Sequence, residues 1–274
     1  MFIKDFVDTH THTDNSPDGN HNTMYLCETA VSKGLRALAF TDHCEVDVFK
    51  RDHYDMVIRQ SYFDICKAID CFSGDILILR GIELAQPHYA PETAAEILNS
   101  QQYDLVIGSI HNLRNELDFY FMPTFEGVNL DALMSEYFDE LIGMCEWGNF
   151  DTLAHITYPV RYFFERSQLR YDLTKFAGKI DTILSILSEK DKALEINTKG
   201  LRSPLNELCP DFETVKRFRE LGGRKITIGS DAHFANDLGA GVIEAEELAL
   251  AAGFNSKFIY VNRQPVELEI CHEA

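Results

Sequence analysis

The chain has 274 residues, with 25 Lys and Arg against 44 Asp and Glu, and a formal net charge of -19. That balance argues against nucleic acid as the main partner, because a phosphate backbone is held by clustered basic side chains. It leaves room for a small anionic substrate, since bound divalent cations reverse the local field.

In chain order, a β-rich start predicts a strand over residues 2–9. Asn22 or Thr23 can cap a helix that runs to Lys33 and stops at Gly34, a residue suited to the left-handed turn that ends helices. Apolar runs at 36–41, 75–82 and 103–109, rich in Ile, Val, Leu and Phe, predict strands buried on both faces. The stretch 129–147 places Leu130, Leu133, Met134, Tyr137 and Leu141 on one helical face. Further strands are predicted at 151–154, 193–197 and 225–229. Before the last of these, Asp211 starts a helix on which Phe212, Val215, Phe218 and Leu221 recur until Gly222-Gly223 end it. A final strand is predicted at 258–261. Strands alternating with helices imply βαβ units and a parallel sheet. Seven or eight such units imply a closed α/β barrel, for which about 250 residues is usual and in which function sits at the carboxyl ends of the strands.

Seven cysteines are scattered without a CxxC pair. The start, MFIKDFVDTH, does not read as a signal peptide. No apolar run approaches the roughly 18 residues that span a bilayer. The expectation is a cytoplasmic protein with reduced, mostly buried thiols and no membrane partner. Cys44, beside His43, is the thiol to watch, and the expected reading of it is a small buried hydrophobe.

The polar residues fall on this frame in a pattern. Successive strand ends read Asp8-Thr9-His10-Thr11-His12, Thr41-Asp42-His43, Gly81-Ile82-Glu83, Ser109-Ile110-His111, Ala154-His155 and Gly229-Ser230-Asp231-Ala232-His233. Six of the ten histidines, with Glu83 and Asp231, thus stand where a buried strand runs out. Parallel strands bring those ends to one rim. His, Asp and Glu without Cys suit Zn, Mn or Fe with open coordination positions, not a closed thiolate site. His10 and His12, two apart on a strand, point to the same side and can chelate one ion, and Asp231 and His233 repeat that spacing. A carboxylate at the end of an apolar strand, as at Glu83, is expected to be paired or metal-bound. His21, His53, His88 and His272 lie outside the pattern.

These motifs, with Asp18, the stretch His155-Ile-Thr-Tyr-Pro-Val-Arg161-Tyr and the stretch Glu195-Ile-Asn-Thr-Lys-Gly-Leu-Arg202, resemble the polymerase and histidinol phosphatase (PHP) family. Within it, the chain is most similar to the monofunctional histidinol-phosphate phosphatases. The resemblance implies one barrel domain over residues 1–274, a distorted (β/α)7 TIM-like barrel holding three divalent metal ions. Carried onto this sequence, His10, His12, Glu83 and Asp231 would hold one ion. Glu83, His111 and His155 would hold a second, and Asp18, His43 and His233 a third. Glu83, Asp231 and His233 would stand nearest the chemistry.

The implied reaction is hydrolysis of L-histidinol phosphate in histidine biosynthesis. Water bridging two cations loses a proton near neutral pH and attacks phosphorus, so no side-chain nucleophile is needed. Arg161 and Arg202 are candidates to hold the outer phosphate oxygens, with Arg114 ranked below them. Glu45, Asp47, Glu116 and Glu165 are all eligible to read the imidazole and amine. Two rivals stay open: a PHP-type phosphoesterase acting on a nucleotide or other small phosphate ester, and a non-catalytic metal-binding regulatory module.

Overall fold

The computed structural model describes residues 5–270. The first residues of the strand predicted at 2–9, and His272, lie outside the described residues. In chain order the elements are β1 (Val7–Thr11), α1 (Thr23–Lys33), β2 (Ala37–Phe40), β3 (His43–Glu45), α2 (Tyr54–Cys71), β4 (Leu77–Ala85), α3 (Pro91–Ser100), β5 (Leu105–Ser109), α4 (Leu130–Trp147), β6 (Thr152–Leu153), α5 (Tyr158–Ser167), α6 (Ala177–Glu189), β7 (Ala193–Asn197), α7 (Phe212–Glu220), β8 (Ile226–Gly229), α8 (Val242–Ala251), β9 (Ser256–Val261) and β10 (Gln264–Glu269).

The helix boundaries follow from caps. Asn22 accepts from the Tyr25 N–H at the start of α1, and Gly34 ends that helix at φ 80. Asn129 caps α4 through the Ala132 N–H, and Asp211 caps α7 through the Thr214 N–H. Each such cap satisfies an amide that the helix itself leaves unpaired, which stabilises it by about 1 kcal/mol.

Strands β1, β2, β4, β5, β6, β7 and β8 pair in that order, every pair parallel. β3 continues β2 in one register: Phe40 lies opposite Arg80 and His43 opposite Glu83, both on β4. β2 and β3 are therefore a single barrel position interrupted at Thr41-Asp42, and the ring has seven positions. It closes where β1 meets the end of β8. There Thr11 bridges Ala232, the Asp231 N–H donates to the His10 carbonyl, and the His12 N–H donates to the Ala232 carbonyl. This is the distorted (β/α)7 TIM-like barrel that the sequence led us to expect.

The strand predicted at 258–261 forms but does not join the ring. β9 pairs antiparallel with β10. Ile259 and Tyr260 are buried with Val7, Ala37, Leu105 and Ala193, each the first residue of its strand. The hairpin thus plugs the amino-terminal mouth of the barrel. An apolar run looks the same in sequence whether it lies in a ring or across its mouth, so periodicity could not separate the two. Around the outside, Phe138 and Leu141 of α4 and Ile183 and Leu187 of α6 belong to the larger core that covers the sheet. With one end closed and the sides covered, the carboxyl ends of the strands are left as the open face. No helix among the described residues is long and apolar enough to cross a membrane.

Candidate metal centre

The open face gathers donors from nearly every strand end. β4 runs three residues past the predicted 82, so Glu83 stands inside the strand and is fully buried. Its carboxylate is the hub. Oε1 lies 3.0 Å from His111 Nε2 and 2.9 Å from His155 Nε2. Oε2 lies 2.8 Å from His43 Nδ1, 3.4 Å from His10 Nε2 and 3.6 Å from His12 Nε2. Asp231 Oδ1 is 3.5 Å from His12 Nε2 and 3.4 Å from His233 Nδ1. Asp18, from the loop after β1, places Oδ2 2.9 Å from His233 Nε2 and Oδ1 3.4 Å from His43 Nε2. The nine side chains named from sequence therefore form one cluster.

Local backbone chemistry brings them this close. A Cβ on Gly229 would stand 2.3 Å from His10 Cβ and 2.7 Å from Glu195 Oε1, so only glycine lets β8 approach β1 here. Asp231 then takes φ 52, in the left-handed region that residues with a side chain seldom adopt, fixed by its N–H bond to His10. Below it, the buried Asp8 carboxylate accepts from the Ser230 and Gly239 N–H groups and the Ser230 hydroxyl. Asp42 ties down the β1 loop in the same way, accepting from the Thr13 N–H and from the hydroxyls of Thr13, Ser16 and Ser61.

Two further carboxylates orient the rings. His10 Nδ1 lies 2.6 Å from Glu195 Oε1, and His111 Nδ1 lies 2.8 Å from Glu45 Oε1. Each bond commits Nδ1 as donor and turns Nε2 toward the cluster, the usual arrangement around a histidine that ligates a metal. Sequence reasoning assigned no role to Glu195, Asp8 or Asp42. The signal for Glu195 was present, since a carboxylate inside the apolar run Ala-Leu-Glu-Ile-Asn is as anomalous as Glu83.

The electrostatics follow from packing carboxylates and imidazoles away from water. Burial pushes the Glu83 carboxyl up, but His111, His10 and His43 outweigh it and hold the group well below the usual carboxylate range. At Asp231, Lys199 and His10 likewise overcome burial. Burial lowers His10 and His111, yet Glu195 and Glu83 raise the first and Glu83 and Glu45 the second, and both end well above the ordinary imidazole value. Against burial, Glu83 and Asp18 carry His43 to about 10. Burial lowers His12, His155 and His233, and the neighbouring His43 depresses His12 further.

The donor set fits divalent cations. Subsets such as His10, His12 and Glu83, or His12, His43 and His233, offer ligand atoms within 4.8 Å of one another. Glu83 Oε2 and Asp18 Oδ1 are buried without a hydrogen-bond partner, although several ring nitrogens surround them. Nitrogen and oxygen donors without thiolate match open-coordination sites for Zn, Mn or Fe. Cys44 is fully buried and its thiol is pushed up by burial, so it belongs to the core.

A cavity of about 1140 Å³ opens above the cluster, with His43, His111, His155 and Asp231 in its lining. Glu45, Asp47, Asp52, Glu116 and Asp118 line its walls. Glu165 does not. It sits 3.9 Å from Arg161 Nε. The Arg161 guanidinium is buried, packs over the rings of Tyr158 and Tyr162 and donates to the Tyr162 hydroxyl at 2.6 Å. Arg202 donates to the Ser230 and Ala240 carbonyls and pairs with Asp237. Neither arginine is among the residues lining the cavity. Lys199, which sequence reasoning passed over, does line it. Arg114 lines the cavity too, with its guanidinium stacked on Tyr89. His88 pairs with Glu140, and His53 stands at the start of α2, so neither joins the cluster.

Comparison with known proteins gives a family and a fold. A family model described as PHP domain matches residues 8–199. A protein of Clostridium acetobutylicum named "Probable histidinol-phosphatase" is 28% identical over 94% of this chain and 97% of its own length. The histidinol-phosphatase of Lactococcus lactis is 26% identical over 91% of this chain and 92% of its own. Among solved structures, a histidinol phosphate phosphatase from Lactococcus lactis complexed with zinc, L-histidinol and phosphate superposes with a TM-score of 0.76. It covers 95% of this chain and 98% of its own at 24% identity, which establishes a shared fold.

Proposed function

The chain belongs to the PHP domain family, and from that premise we propose that it is a metal-dependent phosphomonoesterase that hydrolyses L-histidinol phosphate to L-histidinol and phosphate. One barrel domain over residues 1–274 would carry the activity. The observation that carries the reading is the pairing of two features on one face: a nine-residue donor cluster, and a cavity above it whose walls bear five carboxylates. Histidinol phosphate has the complementary polarity, a phosphate at one end and an amine and imidazole at the other. The relatives named histidinol-phosphatase support the choice of substrate.

In this reading three divalent ions occupy the cluster. His10, His12, Glu83 and Asp231 would hold one, Glu83 would share a second with His111 and His155, and Asp18, His43 and His233 would hold the third. Zinc is the first ion to test, because the structurally similar Lactococcus lactis protein was solved with it. Divalent cations supply Lewis acidity here: they acidify water to near neutral pH and offset the charge on the phosphoryl oxygens. The protein's own groups arrange the rest. Glu83 divides its two oxygens between opposite sides of the cluster, while Glu195 and Glu45 fix the tautomers of His10 and His111. Asp231 lines the cavity just past the end of β8, with His233 behind it, so the metal they would hold stands nearest the reacting end of the ester. Arg161 stands behind the Tyr158–Tyr162 wall, near enough to Asp231 for the two charges to interact. We assign it and Arg202 a supporting positive field at the phosphate end. Glu45, Asp47 and Glu116, with Asp118, face the cationic body of the substrate, while Asp52 is paired with Arg51.

The test is phosphate release from L-histidinol phosphate by the metal-loaded protein. A kcat/KM of about 10⁴ M⁻¹s⁻¹ or more lies in the range of enzymes on their own substrates. A value orders of magnitude lower, with faster release from another ester, would move the assignment to a different phosphoesterase. No turnover on any ester would favour the non-catalytic module.

A further inference from the structure

Phosphate monoesters carry close to two negative charges, and neither arginine expected to meet them is among the residues lining the cavity. The cations on the lining itself are Arg51, Arg114 and Lys199. Arg51 is spent on a two-bond contact with Asp52, and Arg114 is stacked on Tyr89. Lys199 differs. It starts the short turn just beyond β7 and points back over the cluster, with Nζ 3.0 Å from Asp231 Oδ1 and 3.1 Å from His233 Nδ1. Its backbone N–H is held by the Asn197 side chain at 3.0 Å, which anchors the base of the side chain, while the ammonium group is held through its contacts with Asp231 and His233.

The sheet order adds direction. β3, β4 and β5 are neighbours on one side of the ring, and β7 and β8 lie across it. Glu45 belongs to β3, Asp47 follows it, and Glu116 and Asp118 follow β5, so the acidic wall occupies the first side. Lys199 occupies the other. We propose that Lys199 is a phosphate-anchoring residue that sets the direction in which the ester lies, phosphate toward β7 and cationic body toward β3–β5. The inference rests on the phosphomonoesterase reading. Its physical basis is a competition for Asp231 and His233. Cations bound by those two side chains take up the lone pairs that Lys199 now contacts and repel its ammonium group. The flexible side chain then turns to the strongest acceptor within reach, the outer oxygens of a phosphate above the cluster.

The test compares wild type, Lys199→Met and Lys199→Arg in the metal-loaded state. Calorimetric titration reads the binding of inorganic phosphate, steady-state assays read kcat and KM for L-histidinol phosphate, and elemental analysis reads bound metal. Lys199→Met is expected to keep its metal, to bind phosphate about tenfold or more weakly and to raise KM by a similar factor, as loss of a charge-assisted bond implies. Lys199→Arg should recover most of the loss. Phosphate affinity and KM equal to wild type in Lys199→Met would overturn the proposal while leaving the phosphatase reading intact. Joint loss of metal and phosphate binding would overturn it as well, assigning Lys199 to holding the cluster. Phosphate binding that depends on Lys199, in a protein that does not turn over histidinol phosphate, would uphold the anchor and remove the assigned substrate.

Discussion

Replacing Glu195 by Gln keeps the shape of a buried side chain and changes only what it can donate and accept. In the native chain Oε1 accepts from His10 Nδ1 at 2.6 Å, and Oε2 accepts from the His155 N–H at 3.0 Å and from Asn197 Nδ2 at 3.1 Å. Glutamine has one acceptor oxygen and one NH₂ to share between these positions. If its oxygen replaces Oε1, the NH₂ faces two donors, and each buried unpaired donor costs about 1–3 kcal/mol. If its oxygen replaces Oε2, both of those bonds survive and the NH₂ faces His10. That ring can comply by giving up its Nδ1 proton and keeping the one on Nε2, a far smaller cost. The second arrangement wins, and it points an N–H at the centre where a lone pair is needed. The expected result is a protein of nearly unchanged melting temperature without metal, and a loss of about 10–100-fold in affinity for the ion that His10 holds. Competition with a chromophoric chelator measures the affinity, and thermal melts of the metal-free protein measure the fold. Affinity within about twofold of wild type would refute the argument that Glu195 sets the His10 tautomer.

Glu45→Gln should act in the same direction on His111 but more weakly, because Glu45 is 15% exposed and water can satisfy what the amide does not; the same chelator competition reads it. His111→Ala or Asp231→Ala should lower kcat/KM by about 10³-fold or more with loss of bound metal, since His111 meets the Glu83 hub and Asp231 meets His12 and His233, and a variant that kept metal and activity would sink the cluster assignment. Metal uptake should release protons at pH 7, because His10, His43 and His111 are all held above the ordinary imidazole value, His43 at about 10, and each must be deprotonated to coordinate. Affinity therefore rises with pH, and calorimetry in two buffers of different ionisation enthalpy should count at least one proton; none released would contradict it. Ile259→Ala, in the barrel plug, should cost about 2–5 kcal/mol in chemical denaturation while metal content stays at the wild-type level.

The cluster was legible because a parallel barrel converts sequence position into spatial position. A buried strand ends at a countable place, so ligand-type residues at six such ends could be assigned to one rim before any coordinate was known. The same counting misplaced the stretch at 258–261, since the number of strands does not reveal which of them turns back to cap the ring. It also gave Glu83 too shallow a position, as β4 continues to Ala85 and carries the carboxylate into the core. Side-chain direction was the harder limit. Arg161, Arg202 and Lys199 all follow strand ends, and nothing in their spacing separates a guanidinium that stacks on Tyr162 or pairs with Asp237 from an ammonium that reaches Asp231. Arginine's planar fork finds carbonyls, carboxylates and ring faces within the fold, and those partners hold it there. Lysine on the same rim pairs instead with Asp231 and His233, the side chains assigned to the metal centre, so metal bound there would release its charge to a ligand.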